Sequence, residues 1–207
     1  MLKLFYHPLY TSGIDPTARF PRDRYALLAS RLAKAPGIEL IEPRQITRDE
    51  LITAHDAQYV DRFLRSELSD KEIRQIGLRP WTNRIVERTL HLMGGSLQAL
   101  EHVLQHGGIA GNMAGGTHHA YYDFGSGYCI FNDIAVCALR ALQTPSIKRV
   151  LILDLDVHQG DGTASILADV PDAVTCSIHG AKNFPFRKQM SDLDIELADD
   201  TGDQEYL

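Results

Sequence analysis

Asp154, Asp156 and His158 follow one another at every second position, directly after the aliphatic run Val150 to Leu153. In an extended chain alternate side chains share a face, so the three would point to one side. Carboxylate and imidazole are ligands for a divalent cation and also hold or pass protons near neutral pH. A single Asp in this place would be a turn former or a helix cap. Two Asp and a His in alternation, with Asp161 close behind, repel and desolvate one another unless a cation or a proton network offsets the cost. The spacing therefore points to a metal site, and Gly160 and Gly162 supply a loop able to fold around it.

A second stretch carries paired imidazoles, Gly115-Gly116-Thr117-His118-His119-Ala120, followed by the tight-turn sequence Gly125-Ser126-Gly127-Tyr128-Cys129. Adjacent histidines on a strand face opposite ways, so His118 and His119 need a loop to converge, and the glycines before them permit one. Two look-alikes are set aside. Gly108 to Gly116 lacks the Lys-Ser/Thr of a phosphate loop, and Asp123-Phe124-Gly125 has no catalytic-loop or strand-lysine partner.

These residues need elements to position them. Val150 to Leu153 reads as a strand buried on both faces, as in a parallel sheet, and open α/β sheets place ligands at the carboxyl ends of such strands. Leu2 to Tyr6 and Ile38 to Ile41 read as further strands, separated by a helix with Tyr25, Leu27, Leu28 and Leu32 at helical spacing. Thr47 with Glu50 forms a capping box that opens a helix whose apolar stripe runs to Leu64, with His55 inside it as a packing or hydrogen-bonding residue. Asp70 to Leu78 is a short helix and Thr82 to His106 a long one, in which Gly94-Gly95 marks a close helix-to-sheet contact. His91, His102 and His106 share no ligand spacing and read as surface or interfacial residues. Asn132 or Asp133 caps the helix that leads back to Lys148. Ala173 to Ile178 is the next strand, ending in Ser177-Ile178-His179-Gly180, and Asn183 to Phe186 is either an aromatic wall or a loop anchor.

The whole chain sets wider bounds. Its 207 residues suffice for one domain with a substantial core. A net charge of −6 without a Lys/Arg cluster argues against a nucleic-acid partner and tolerates a basic protein. The three cysteines, Cys129, Cys137 and Cys176, are widely spaced in apolar surroundings and read as reduced core residues. Met1 to Phe5 is too short for a signal peptide and no membrane span is apparent, so the cytoplasm is the expected compartment.

Taken together, Gly-Gly-Thr-His-His-Ala (115–120), Gly-Ser-Gly-Tyr-Cys-Ile-Phe-Asn-Asp (125–133) and Asp-Leu-Asp-Val-His-Gln-Gly-Asp-Gly (154–162) closely resemble the zinc-dependent histone deacetylase superfamily. Tyr6-His7-Pro8 and Arg19 to Tyr25 look most like its bacterial and class IV-like members. The resemblance implies a three-layer α/β/α arginase/deacetylase-like fold around a central parallel sheet, here as a single partial domain over 1–207 with its C-terminal strands missing. It implies hydrolysis of an N-acetyl-lysine-type amide on a protein, such as a histone, or on a small acetylated amine. Asp156 and His158 match two zinc ligands, with iron(II) as an alternative metal. His118 and His119 match the paired proton-handling histidines, oriented by Asp154 and Asp161. Asp154, Ser177 and the backbone of Asp156, His158 and Ile178 match a potassium site. Gly127, Tyr128 and Phe184 match the substrate tunnel. The family's third metal ligand, an Asp, and its oxyanion-stabilising Tyr have no counterpart before Leu207, so the resemblance also implies a truncated chain. Two other readings follow: a binding protein that has lost catalysis, and an arginase-like binuclear manganese hydrolase, which would want more carboxylates at the metal.

Overall fold

The computed structural model describes residues 1–207. In chain order it comprises β1 (Leu2–Phe5), α1 (Leu9–Ser12), α2 (Asp23–Leu32), β2 (Ile38–Ile41), α3 (Arg48–Leu51), α4 (Ala57–Leu64), α5 (Asp70–Ile76) and α6 (Ile85–His106). There follow β3 (Ala110–Asn112), α7 (Asp133–Leu142), β4 (Val150–Asp154), α8 (Asp161–Leu167), β5 (Ala173–Gly180), β6 (Leu193–Leu197) and α9 (Asp203–Tyr206). Parallel neighbours need a crossover connection rather than a hairpin, and all the paired strands here are parallel. Where one central parallel sheet was expected, they form two three-stranded parallel sheets, ordered β2-β1-β3 and β4-β5-β6, with no ladder between β3 and β4. The architecture is α/β, with the helices flanking parallel sheet as expected.

α6 ties the halves together, packing on β1, β3 and α7, while α7 and α8 cover β4 and β5. The core fills the space around α6 with Tyr10, Tyr59, Phe63, Met93, Leu97 and Phe131, all essentially inaccessible to water. Gly94 and Gly95 do mark a close approach. A Cβ on Gly94 would lie 2.0 Å from the Arg44 carbonyl oxygen, and one on Gly95 2.7 Å from the Tyr10 hydroxyl. The neighbour of Gly94 is thus the loop after β2, whereas Gly95 also meets Asn112 of β3.

Three expectations need correction. The helix opened by the Thr47 capping box stops at Leu51, because Asp56 caps a new helix by accepting from the Tyr59 amide. In α2, Tyr25 of the apolar pattern is buried as expected, but Leu27 and Leu28 are exposed and Ala29 faces the core in their stead. β4 is not buried on both faces. Ile152 packs beneath α7, but Leu151 and Leu153 are 64% and 55% exposed. Register places them beside Val174 and Cys176 of β5, and Cys176 beside Leu193 of β6, on a face that no helix covers. No helix is long and apolar enough to cross a membrane.

Candidate active site

The site lies over the carboxyl ends of β3, β4 and β5, and its first requirement is a fixed path for the loop that carries the histidines. Asp133, the first residue of α7, accepts from the backbone amides of Gly116 and Thr117 at 3.1 and 2.7 Å, from the Thr117 hydroxyl at 2.6 Å, and from Ser96. Asn132 is the cap of α7, accepting from the Ala135 amide, while its side-chain amide donates to the carbonyls of His118 and Ala120. His55 completes the frame, donating from Nδ1 to the Tyr121 carbonyl at 3.0 Å and accepting at Nε2 from the Asn132 amide at 2.8 Å. Burial lowers its pKa to about 4, so it serves as a neutral bridge. The expected packing role of His55 is what the fold gives it.

With the loop held, His118 and His119 come together, ring centroids 4.0 Å apart and tilted by 46°. Each meets its own carboxylate: His118 Nδ1 lies 2.6 Å from Asp154 Oδ2, and His119 Nδ1 2.6 Å from Asp161 Oδ1. Two imidazole–carboxylate pairs thus stand side by side, each carboxylate fixing one tautomer. Their proton affinities diverge. Burial works against a charged His118, but the hydrogen bond and charge of Asp154 outweigh it and hold the pKa above the ordinary value. For His119 burial dominates, Asp161 offsets it only in part, and the neighbouring His118 adds repulsion, so its pKa lies below the ordinary value. Burial likewise pushes the Asp154 carboxyl up, but its contact with His118 prevails and keeps it low.

Asp156 and His158 reach the site by a different route from the extended alternation expected of them. The strand ends at Asp154, and two side-chain-to-backbone turns follow. The Asp156 amide donates to Asp154 Oδ1 at 3.0 Å, and the His158 amide to Asp156 Oδ1 at 2.8 Å. His158 Nδ1 then lies 3.1 Å from Asp156 Oδ1, and His118 Nε2 4.0 Å from the same oxygen. Asp156 and His158 face a shared space, but no group of three His, Cys, Asp or Glu side chains in the chain closes a metal site.

That space is a cavity of about 490 Å³. Phe184 stands edge-on to His119 with centroids 4.8 Å apart, Tyr128 contributes to the wall with its ring against Phe20, and Arg88 also lines the cavity. Arg88 is 3% exposed, and its Nε donates to the Tyr10 carbonyl at 3.3 Å. Gly127 adopts φ +53° with the ring of His119 against it; a Cβ there would sit 2.5 Å from the imidazole. Phe186, the other aromatic of that segment, is exposed and plays no part in the wall. Burial raises the Cys129 thiol to about 12, leaving it unreactive.

Asp154 and Ser177 are register partners on β4 and β5, and both border a small void with Thr175 and Ser191. The Ser177 hydroxyl meets His179 Nδ1 at 3.0 Å, and Ile178 lies on the opposite face of β5. Three contributors escaped the sequence reading. Tyr121 donates to Asp161. Gln159 is buried and pairs with the backbone of Gln189 in both directions, at 2.7 and 2.8 Å. Arg88 sits among apolar helix positions. None belongs to a spacing pattern, and only the unusual polarity of Arg88 within an apolar helix face could have drawn notice.

Comparison with known proteins agrees with this geometry. A histone deacetylase domain profile matches residues 18–207. An uncharacterized protein of Picosynechococcus is 42% identical over 205 residues, covering 98% of this chain and 68% of the relative. The acetoin utilization protein AcuC of Bacillus subtilis is 33% identical over 156 residues, and AcuC of Staphylococcus aureus 34% over 157, each match covering 72% of this chain. The chain thus spans about two thirds of the Picosynechococcus relative, and its match to the AcuC proteins takes in 40% of their length. With both the domain match and the paired histidines in place, the chain belongs to the histone deacetylase family.

Proposed function

We propose that this chain carries the proton-handling half of a metal-dependent deacylase that hydrolyses an N-acetyl-lysine-type amide. The observation that carries the reading is the pair of imidazole–carboxylate contacts with opposite pKa shifts, His118 upward and His119 downward, facing one cavity. In an amide hydrolysis one group must take a proton from water and another must give one to the departing amine. His119, neutral near pH 7, suits the first task; His118, protonated more readily, suits the second or holds positive charge beside the developing oxyanion. Asp154 and Asp161 keep both rings oriented. Phe184 and Tyr128 flank an opening for an aliphatic amine arm, and the Gly127 carbonyl is its acceptor for the amide N–H.

Asp156 and His158 supply two of the donors that a zinc or iron(II) ion takes, which is short of the three that a catalytic site uses. A bound divalent ion would supply a polarised carbonyl and an acidified water. Potassium at Asp154, Ser177 and the backbone of Asp156, His158 and Ile178 is a second, structural ion in this reading; of these, Asp154 and Ser177 border one small void. The missing third donor also favours a second reading of the 207 residues by themselves, a non-catalytic acyl-amine binder.

Zinc titration against a chromophoric chelator tests the metal assignment. The chain should bind about one zinc weakly, with Asp156→Asn and His158→Ala each weakening it at least about tenfold. Zinc binding unchanged in both variants would place the ion elsewhere and defeat the reading. Acetate release from an acetyl-lysine peptide by the zinc-loaded chain then separates the two readings.

A further inference from the structure

The net charge of −6 tolerates a basic partner, but the mouth of the cavity has the opposite sign. Beside the catalytic cavity, and sharing Gly127, Tyr128 and Phe184 with it, lies a second depression of about 590 Å³. Arg19 enters it from the loop before α2, Arg74 from the last turn of α5, and Arg79 from the segment beyond the Gly77 cap. All three are exposed. Elsewhere on the surface Arg44, Arg48 and Arg62 pair with Glu50, Asp61 and Glu72, whereas Arg19, Arg74 and Arg79 have no such ion pair, and no carboxylate lines the depression. Arg24 carries the basic lining into the catalytic cavity, its guanidinium 5.1 Å from the Phe20 ring centroid.

An acidic protein that leaves three guanidinium groups unneutralised in one concavity concentrates positive potential there, and low-dielectric walls focus it. Arginine meets carboxylates with two parallel hydrogen bonds, which gives direction as well as attraction. We propose that this rim reads carboxylates flanking the acylated residue, so that the preferred substrate is an acyl-lysine within an acidic segment of polypeptide. A lysine-rich tail would meet like charge at the same place. The proposal rests on the acyl-amide reading of the cavity and names the class of substrate for it.

Fluorescence anisotropy with the 207-residue chain tests it, using labelled peptides whose central lysine is acetylated or free and whose flanks are Asp/Glu or Lys/Arg. The acidic acetylated peptide should bind about tenfold or more tightly than the basic one, and the preference should shrink as salt rises from about 50 to about 300 mM. The exposed triple variant R19E/R74E/R79E, its fold checked by circular dichroism, should lose or invert the preference. Equal or tighter binding of the basic peptide, or a preference untouched by the triple variant, overturns the proposal. So does an oligonucleotide that outcompetes the acidic peptide. Acidic peptides that bind regardless of acetylation would support the rim while defeating the acyl-amide reading, which keeps the two failures distinct.

Discussion

Tyr121 donates its hydroxyl to Asp161 Oδ2 at 2.9 Å, on the oxygen opposite the one that meets His119 Nδ1. The phenol is held by stacking on Phe124, with centroids 4.5 Å apart, and burial together with the adjacent carboxylate raises its pKa, so it remains a donor. A carboxylate shared in this way is a weaker acceptor for the imidazolium of His119. Tyr121→Phe should therefore raise the His119 pKa while leaving that of His118 nearly unchanged, read by NMR of the ring nitrogens across pH. Loss of one hydrogen bond to a charged group should cost about 1.5–3 kcal/mol of stability. Unchanged His119 titration would show that the phenol only packs.

His55 links stability to pH. Its folded pKa of about 4 lies below the ordinary His value, so the unfolded chain binds the proton first as pH falls. The contribution is intact above pH 6.5 and declines between about 6.5 and about 4, by roughly 3 kcal/mol in full. His118 acts in the opposite sense: its raised pKa favours the fold below its unfolded value and is lost as pH rises through the folded one. Urea denaturation of wild type and His55→Asn from pH 7 to pH 4 should show a shallower decline in the variant, from a lower starting stability. Parallel curves would remove His55 from the acid transition.

Gly94 and Gly202 form a matched pair. Alanine at Gly94 places a Cβ 2.0 Å from a backbone oxygen, which cannot move as a side-chain tip can, and should cost about 3 kcal/mol or more. Alanine at Gly202 meets nothing within 4 Å and should change stability by less than about 0.5 kcal/mol. Thermal melts of both variants decide this, and a mild Gly94→Ala would mean that the β2–α3 loop yields.

The uncovered face of β4 to β6 predicts behaviour in solution. Leu151→Gln with Leu153→Gln removes apolar surface that is already in water, so the melting temperature should stay within a few degrees. Concentration-dependent light scattering should fall if this face drives self-association. A large drop in stability would mean that the two leucines pack in the folded chain.

Residue type and spacing were enough for most of the elements and for the kind of chemistry the site can do. Most strand and helix positions follow local periodicity, though α1, β3 and β6 are too short or too polar to have shown it; the Thr47 capping box is written in four residues, and the paired histidines and the Asp/His alternation announce their ligand and proton chemistry through type and spacing. Tertiary structure alone decided which residues meet. Pairing His118 with Asp154 and His119 with Asp161 brings together residues 36 and 42 positions apart, and no periodicity encodes that distance. The turns that re-aim Asp156 and His158 replaced an extended strand because side-chain carboxylates captured the backbone amides. β4 looked buried because aliphatic runs usually are, yet burial depends on whether another element arrives to cover the face. Net charge is a sum over the whole surface, whereas Arg19, Arg74 and Arg79 gather only when the chain folds, which is why the sign at the mouth differs from the sign of the chain.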